Sequence, residues 1–99
     1  MNNKLKDLKS LYQAIASIGN EKEAKLFFED IATPAERHAF SDRWLACNEL
    51  KKDKSYRTVS SETGISVTTV GRVSRSMSTG KGGYNFIYNK LTKGKTNDE

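Results

Sequence analysis

Histidine, cysteine, proline and tryptophan each occur once in these 99 residues, and each scarcity closes off a class of protein. With Cys47 alone, no disulfide can form within a chain, so a disulfide scaffold is excluded and a reducing cytoplasm is the expected setting. With His38 alone, neither a histidine-based metal cluster nor a Ser-His pair can be assembled within a chain. No metal, no cofactor and no enzymatic activity are therefore expected. Apolar runs are far shorter than the roughly 20 residues that span a bilayer. Met1-Asn2-Asn3-Lys4 leads into no stretch of signal-peptide length, so neither a membrane nor export is expected. Pro34 is the sole proline, and strand-like alternation is limited to short Val/Thr stretches, which leaves an all-α reading of about six helices.

Acidic residues are scarce in one region in particular. Residues 1–32 carry five lysines and five acids, and residues 33–54 five basic and four acidic groups. Residues 55–95 carry seven basic groups against Glu62 alone, so nearly all of the net charge of +5 lies there. Twelve of the 25 residues from Ser55 to Thr79 are Ser or Thr. Short hydroxyls with arginine and little acid suit a surface that meets phosphates, although a solvated basic face has the same composition. Apolar residues make up only 35%, enough for one small domain over residues 1–92 with a thin core, which a partner chain would help to complete.

Leu5, Leu8, Tyr12 and Ile15, flanked by Leu11 and Ile18, form a wide apolar stripe on a first helix that is expected to end near Gly19-Asn20. A second helix fits Glu21 to Asp30. In Thr33-Pro34-Ala35-Glu36, threonine can cap a third helix, proline suits its first position and glutamate can close a capping box. That helix runs through Phe40, Trp44, Cys47 and Leu50 to a polar break at residues 51–54.

The segment from about 55 to 77 fits a helix-turn-helix. Ser55 can cap a short helix with Val59 inward, Gly64 sits where the turn needs a positive φ, and Ser66 can cap the second helix. Val70 and Val73 would hold that helix to the core. Val67, Thr68, Gly71, Arg72 and Arg75 would then face outward, where the N-terminal residues of such a helix reach base edges in a major groove. Ser66 and Lys81, the latter in the following Gly-rich connector, complete the expected DNA-binding set. Many unrelated helical hairpins share a glycine turn and valines, so the coincidence with the acid-poor segment is what favours DNA.

Thr33-Pro34-x-Glu36-Arg37-x-Ala39, then Arg43, Glu62-x-Gly64, Thr69 and Arg72 resemble the Trp repressor family over about residues 31–77. Gly82-Gly83-Tyr84-Asn85-Phe86-Ile87-Tyr88 is more similar to the small Trp-repressor-like regulators. The resemblance implies a homodimer with interlocked N-terminal helices that binds DNA through two helix-turn-helix units. It places Thr33, Arg43, Thr69 and Arg72 at the repressor's tryptophan-pocket positions, and Val67, Thr68 and Gly71 at its base-reading positions. Val73 stands where the repressor has a pocket glycine. Its methyl groups are expected to fill the indole's space, so tryptophan is not the expected co-regulator. A different anionic effector held by Arg43, Thr69 and Arg72 stays open, as does an ordinary ion pair of Arg43 with Asp42 or Glu62.

Other signals have plainer readings. Thr79-Gly80-Lys81-Gly82-Gly83 lacks the spacing of a phosphate loop and reads as a connector. Cys47 and Trp44 read as packing, and His38 as a partly exposed helical residue. Tyr84, Phe86, Ile87, Tyr88 and Leu91 are expected on a last short helix closing the core, and residues 93–99 as a disordered tail. The function expected is a homodimeric, sequence-specific regulator of transcription that binds double-stranded DNA. The alternatives are an RNA- or single-strand-binding module using Tyr84, Phe86 and Tyr88, and a helical protein-interaction adaptor.

Overall fold

Six helices and no strand make up the described residues, which in this computed structural model are 3–96, with side chains described for 8–93. They are α1 (Asn3–Ala16), α2 (Glu21–Ile31), α3 (Pro34–Leu50), α4 (Tyr56–Thr63), α5 (Val67–Thr79) and α6 (Gly83–Thr96). The chain divides into two compact units, residues 1–37 and 38–99. Among the described residues no helix is long and apolar enough to cross a membrane.

The first unit is organised by end-capping. α1 stops at Ala16, close to the expected Gly19-Asn20, and Asn20 caps the next helix: its Oδ1 accepts from the backbone N–H of Glu23 at 2.9 Å. Glu23 reaches back to accept from the Gly19 N–H at 2.7 Å. At the α2–α3 corner, the Glu36 N–H donates to the Thr33 hydroxyl at 3.1 Å and Glu36 Oε1 accepts from the Thr33 N–H at 2.8 Å. This is the capping box expected from the sequence, and its hydrogen bonds hold the Glu36 carboxyl below the usual carboxylate range. Arg37 then donates to the carbonyls of Glu29 and Ala32 at 2.9 and 2.7 Å, satisfying the open end of α2. Among the described side chains of this unit only Ala32 is buried; Leu8, Tyr12, Ile15, Leu26 and Ile31 are exposed. The side chain of Leu5, part of the expected stripe, lies outside the described residues.

The second unit has a core. Ala46 and Cys47 of α3, Val59 of α4, Ile65 of the turn, and Val70 and Val73 of α5 are buried together, with Trp44, Leu50, Met77 and Tyr84 against them. Each buried valine contributes about 1.5–3 kcal/mol. Burial raises the Cys47 thiol pKa, which suits a packing role. The α3–α4 connection is pinned by charge: Lys54 meets Glu49 and Glu62, each at 2.6 Å, and Lys52 meets Glu49 at 2.9 Å. Those contacts raise the Lys54 pKa and lower that of Glu49.

α6 departs from expectation in two ways. Of its apolar set only Tyr84 packs on the core, while Ile87 and Leu91 are exposed and Phe86 is 65% exposed. The helix also continues to Thr96, past the expected start of a tail at Lys93; residues 97–99 lie outside the described residues. Tyr88 carries the Lys51 ammonium over its ring at 5.2 Å.

Candidate nucleic-acid interface and effector pocket

α4, the turn and α5 are built by local hydrogen bonds that their sequence prescribes. The Ser55 hydroxyl accepts from the Thr58 N–H, and the Ser66 hydroxyl from the Thr69 N–H, both at 3.1 Å. Gly64 has φ 81, a left-handed conformation that a side chain would strain, and its N–H donates to Ser60 O at 2.9 Å. Thr63 closes the turn by donating its hydroxyl to Val59 O at 2.6 Å and accepting from the Ile65 N–H at 3.1 Å. These bonds all span four residues or fewer, so the corner is built locally.

α5 then presents two faces. Val70 is fully buried and Val73 is 2% exposed, whereas Ser66, Val67, Thr68, Arg72 and Arg75 are exposed, as is Lys81 beyond the helix. Arg57 on α4 is exposed as well. The ion pairs among the described residues are all Lys–Glu pairs of residues 49–62, so the three arginines keep their charge unpaired there. Gly71 is a correction: it is buried, not outward. A Cβ there would lie 3.4 Å from Tyr56 Cε2 and 3.5 Å from Arg75 Nη1, so these two side chains roof it. The expectation of direct approach by DNA at Gly71 overlooked the first residue of α4, which periodicity along α5 cannot reveal.

Behind the outward face, Arg43, Thr69, Arg72, Val73, Ser76 and Tyr84 enclose a cavity of about 270 Å³. Four of the five expected pocket residues therefore meet. Thr33, the fifth, belongs to the first unit, where its hydroxyl caps α3. Val73 walls the cavity from the core side and does not close it. Arg43 makes no ion pair among the described residues; Glu62, one of its expected partners, is held by Lys54, and the Arg43 guanidinium lies 5.5 Å from the Phe40 ring centre. Tyr84 is set against the same cavity, its phenol pKa raised by burial and partly offset by Arg43. Ser76 and Tyr84 were missed. Ser76 was legible, since 69, 72, 73 and 76 form one helical stripe; Tyr84 comes from another helix and was not. A shallower groove of about 630 Å³, bordered by Trp44, Lys81 and Ile87, shares Ser76 and Tyr84 with the cavity. No trio of His, Cys, Asp or Glu among the described residues is grouped to hold a metal ion.

An all-α chain whose acid-poor helix-turn-helix stands on a buried valine core has the make-up of a helix-turn-helix regulator. The Trp repressor protein family profile matches residues 6–92. The chain belongs to the Trp repressor family, which is a family of regulators and not of enzymes. It is 28% identical over 91 residues to the Bacillus subtilis (strain 168) protein YerC, covering 92% of this chain and 88% of that one. Among solved structures, a TrpR-like protein from Eubacterium eligens matches with a TM-score of 0.82 and 35% identity, over 92% of this chain and 96% of that one. A proposed Trp repressor from Staphylococcus aureus matches with a TM-score of 0.83 and 31% identity, over 93% and 94% of the two chains.

Proposed function

We propose that this protein is a cytoplasmic, homodimeric regulator of transcription that binds specific sites in double-stranded DNA through α5, without requiring tryptophan. The observation that carries this reading is the division of α5 into a buried valine face and an exposed face of Val67, Thr68, Arg72 and Arg75 with no acid among them. Thr68 suits a hydrogen bond to a base or phosphate, Val67 suits a thymine methyl, and Arg72 suits the acceptor pair of a guanine. Lys81 adds a phosphate contact from the connector. Selection of bound sites from a random duplex pool, followed by competition with single strands, tests the reading. A near-palindromic duplex with half-sites about one helical turn apart is expected. Preference for single strands would transfer the function to α6, where Phe86 is exposed and Tyr84 and Tyr88 are half-buried.

The homodimer is supported by apolar surface that the single chain leaves in water. Tyr12 and Leu26 are each 62% exposed, and Leu8, Ile15 and Ile31 in the first unit and Ile87 and Leu91 in the second are exposed with them. Monomers seldom leave so much apolar surface open. Sedimentation at micromolar concentration should give about twice 11.1 kDa; a folded monomer there would refute the dimer.

Independence from tryptophan is supported by Val73, which pins α5 to the core through its own side chain. The cavity beside it, with two guanidinium groups and the Thr69 hydroxyl, suits a small anionic effector. Calorimetry with L-tryptophan should show no saturable micromolar heat. Such heat, joined to a tenfold gain in DNA affinity, would make tryptophan the effector after all.

A further inference from the structure

We infer that Tyr56 and Arg75, seated together over Gly71, act as one paired contact on the DNA phosphate backbone, with Tyr56 a DNA-binding residue in its own right. The inference rests on the duplex-binding reading above and deepens it. Glycine inside a helix is costly relative to alanine, and the fold does not repay that here by avoiding a clash. A methyl group at position 71 would meet Tyr56 Cε2 at 3.4 Å and Arg75 Nη1 at 3.5 Å, which is ordinary van der Waals contact. The absence of a longer side chain instead lets a ring from α4 and a guanidinium from α5 settle onto the same spot. The Tyr56 ring edge lies flat enough on Gly71 for its Cδ2 to fall within 3.7 Å as well.

The paired groups remain available to a ligand. Tyr56 is 41% exposed and Arg75 is exposed. Among the described residues the Tyr56 hydroxyl makes no hydrogen bond and Arg75 makes no ion pair. A phenol and a guanidinium whose ring edge and Nη1 both lie against Gly71 bring two kinds of donor to one patch, and phosphate oxygens are acceptors that suit both. Their placement along α5 fits the same partner. Arg75 follows Thr68 by seven residues, about 10.5 Å along the helix, and a B-form major groove is about 12 Å wide. With Thr68 at the base edges, Arg75 and the ring beside it stand at the groove's rim, where the phosphates run. Contact there positions the helix without reading sequence. Seating over Gly71 also limits the freedom of the long Arg75 side chain before DNA arrives, which lowers the entropy lost on binding.

Duplex affinity of the full chain, measured on a selected site and on random duplex across a salt series, tests the pairing. Tyr56→Phe keeps the ring in its seat and removes only the hydroxyl, so it carries the test even if Tyr56→Ala fails to fold. It should weaken both duplexes alike by about tenfold, the effect of one charge-assisted hydrogen bond. In an Arg75→Ala background the same change should have little further effect, since paired groups are not additive. Arg75→Ala alone should reduce the salt slope by about one. Gly71→Leu is a better helix former and takes the seat; it should weaken both duplexes as Tyr56→Ala does. If Arg72→Ala and Arg75→Ala weaken binding while Tyr56→Phe and Gly71→Leu match the parent, the duplex reading stands and the pairing is overturned. A Tyr56→Phe loss confined to one base position, or fully additive with Arg75→Ala, also overturns it. If the parent shows no salt-dependent duplex binding, the duplex reading falls and the pairing falls with it.

Discussion

The two units of the chain are held together by different physics. Among the described side chains, residues 1–37 bury Ala32 alone and rely on helix ends closed by Asn20, Thr33, Glu36 and Arg37, through bonds that span eight residues or fewer. Among the described residues, 38–99 bury six side chains drawn from α3, α4, the turn and α5. Capping defines where helices begin and stop but supplies little free energy. Burial supplies more, and only where elements distant in sequence meet. An apolar stripe without a core of its own is therefore the part of this protein with most to gain from a second chain.

The sharpest way to break that contrast is inside the core. Val73→Gly removes a buried side chain and adds a helix-interior glycine, and should cost about 3 kcal/mol in urea unfolding. It should also weaken DNA binding without ligand, because α5 loses one of its two anchoring valines. Next comes the turn: Gly64→Ala forces a side chain into the left-handed region and should cost about 1–2 kcal/mol in the same assay. Thr33→Ala removes one cap in the first unit and should cost about 1 kcal/mol, seen as faster amide exchange at the start of α3. A Thr33→Ala loss exceeding that of Val73→Gly would reverse the ranking of the two units.

The smallest expected effect is on pH dependence. Glu36 and Glu49 have folded pKa values below their ordinary 4.5. The folded state thus binds their protons less readily than the unfolded chain. Their contribution is fully present above about pH 4.5 and is lost as pH falls through the lowered values. Lys54, with a pKa raised above 10.5, behaves oppositely, contributing below that value and losing its effect as pH rises through the higher one. Thermal melts of Glu49→Gln should show a flatter acid limb than the parent. An unchanged limb would mean that the Glu49–Lys54 contact holds nothing at the α3–α4 connection.

How much was legible follows the same division. The helix-turn-helix, its caps at Ser55 and Ser66, the αL glycine and the inward valines were all readable, because each depends on residues within one or two turns. The Thr33–Glu36 box was readable for the same reason. Gly71 misled, since its outward register along α5 is correct but a ring from the start of α4 covers it. α6 misled too: its apolar spacing defined a helix and gave no sign that most of that face would stay uncovered within the chain.

Sequence by itself determined where the helices start and turn, which face of α5 is apolar, and that the acid-poor surface falls on the helix-turn-helix. These are matters of local hydrogen bonding, backbone conformation and side-chain periodicity, which a few neighbouring residues settle. Only the tertiary structure decided that Arg43 of α3 and Tyr84 of α6 close a cavity with the Thr69–Ser76 stripe of α5, and that Tyr56 and Arg75 share a seat on Gly71. Such encounters depend on how helices cross, and the crossing is fixed by the packing of the whole valine core rather than by any one segment.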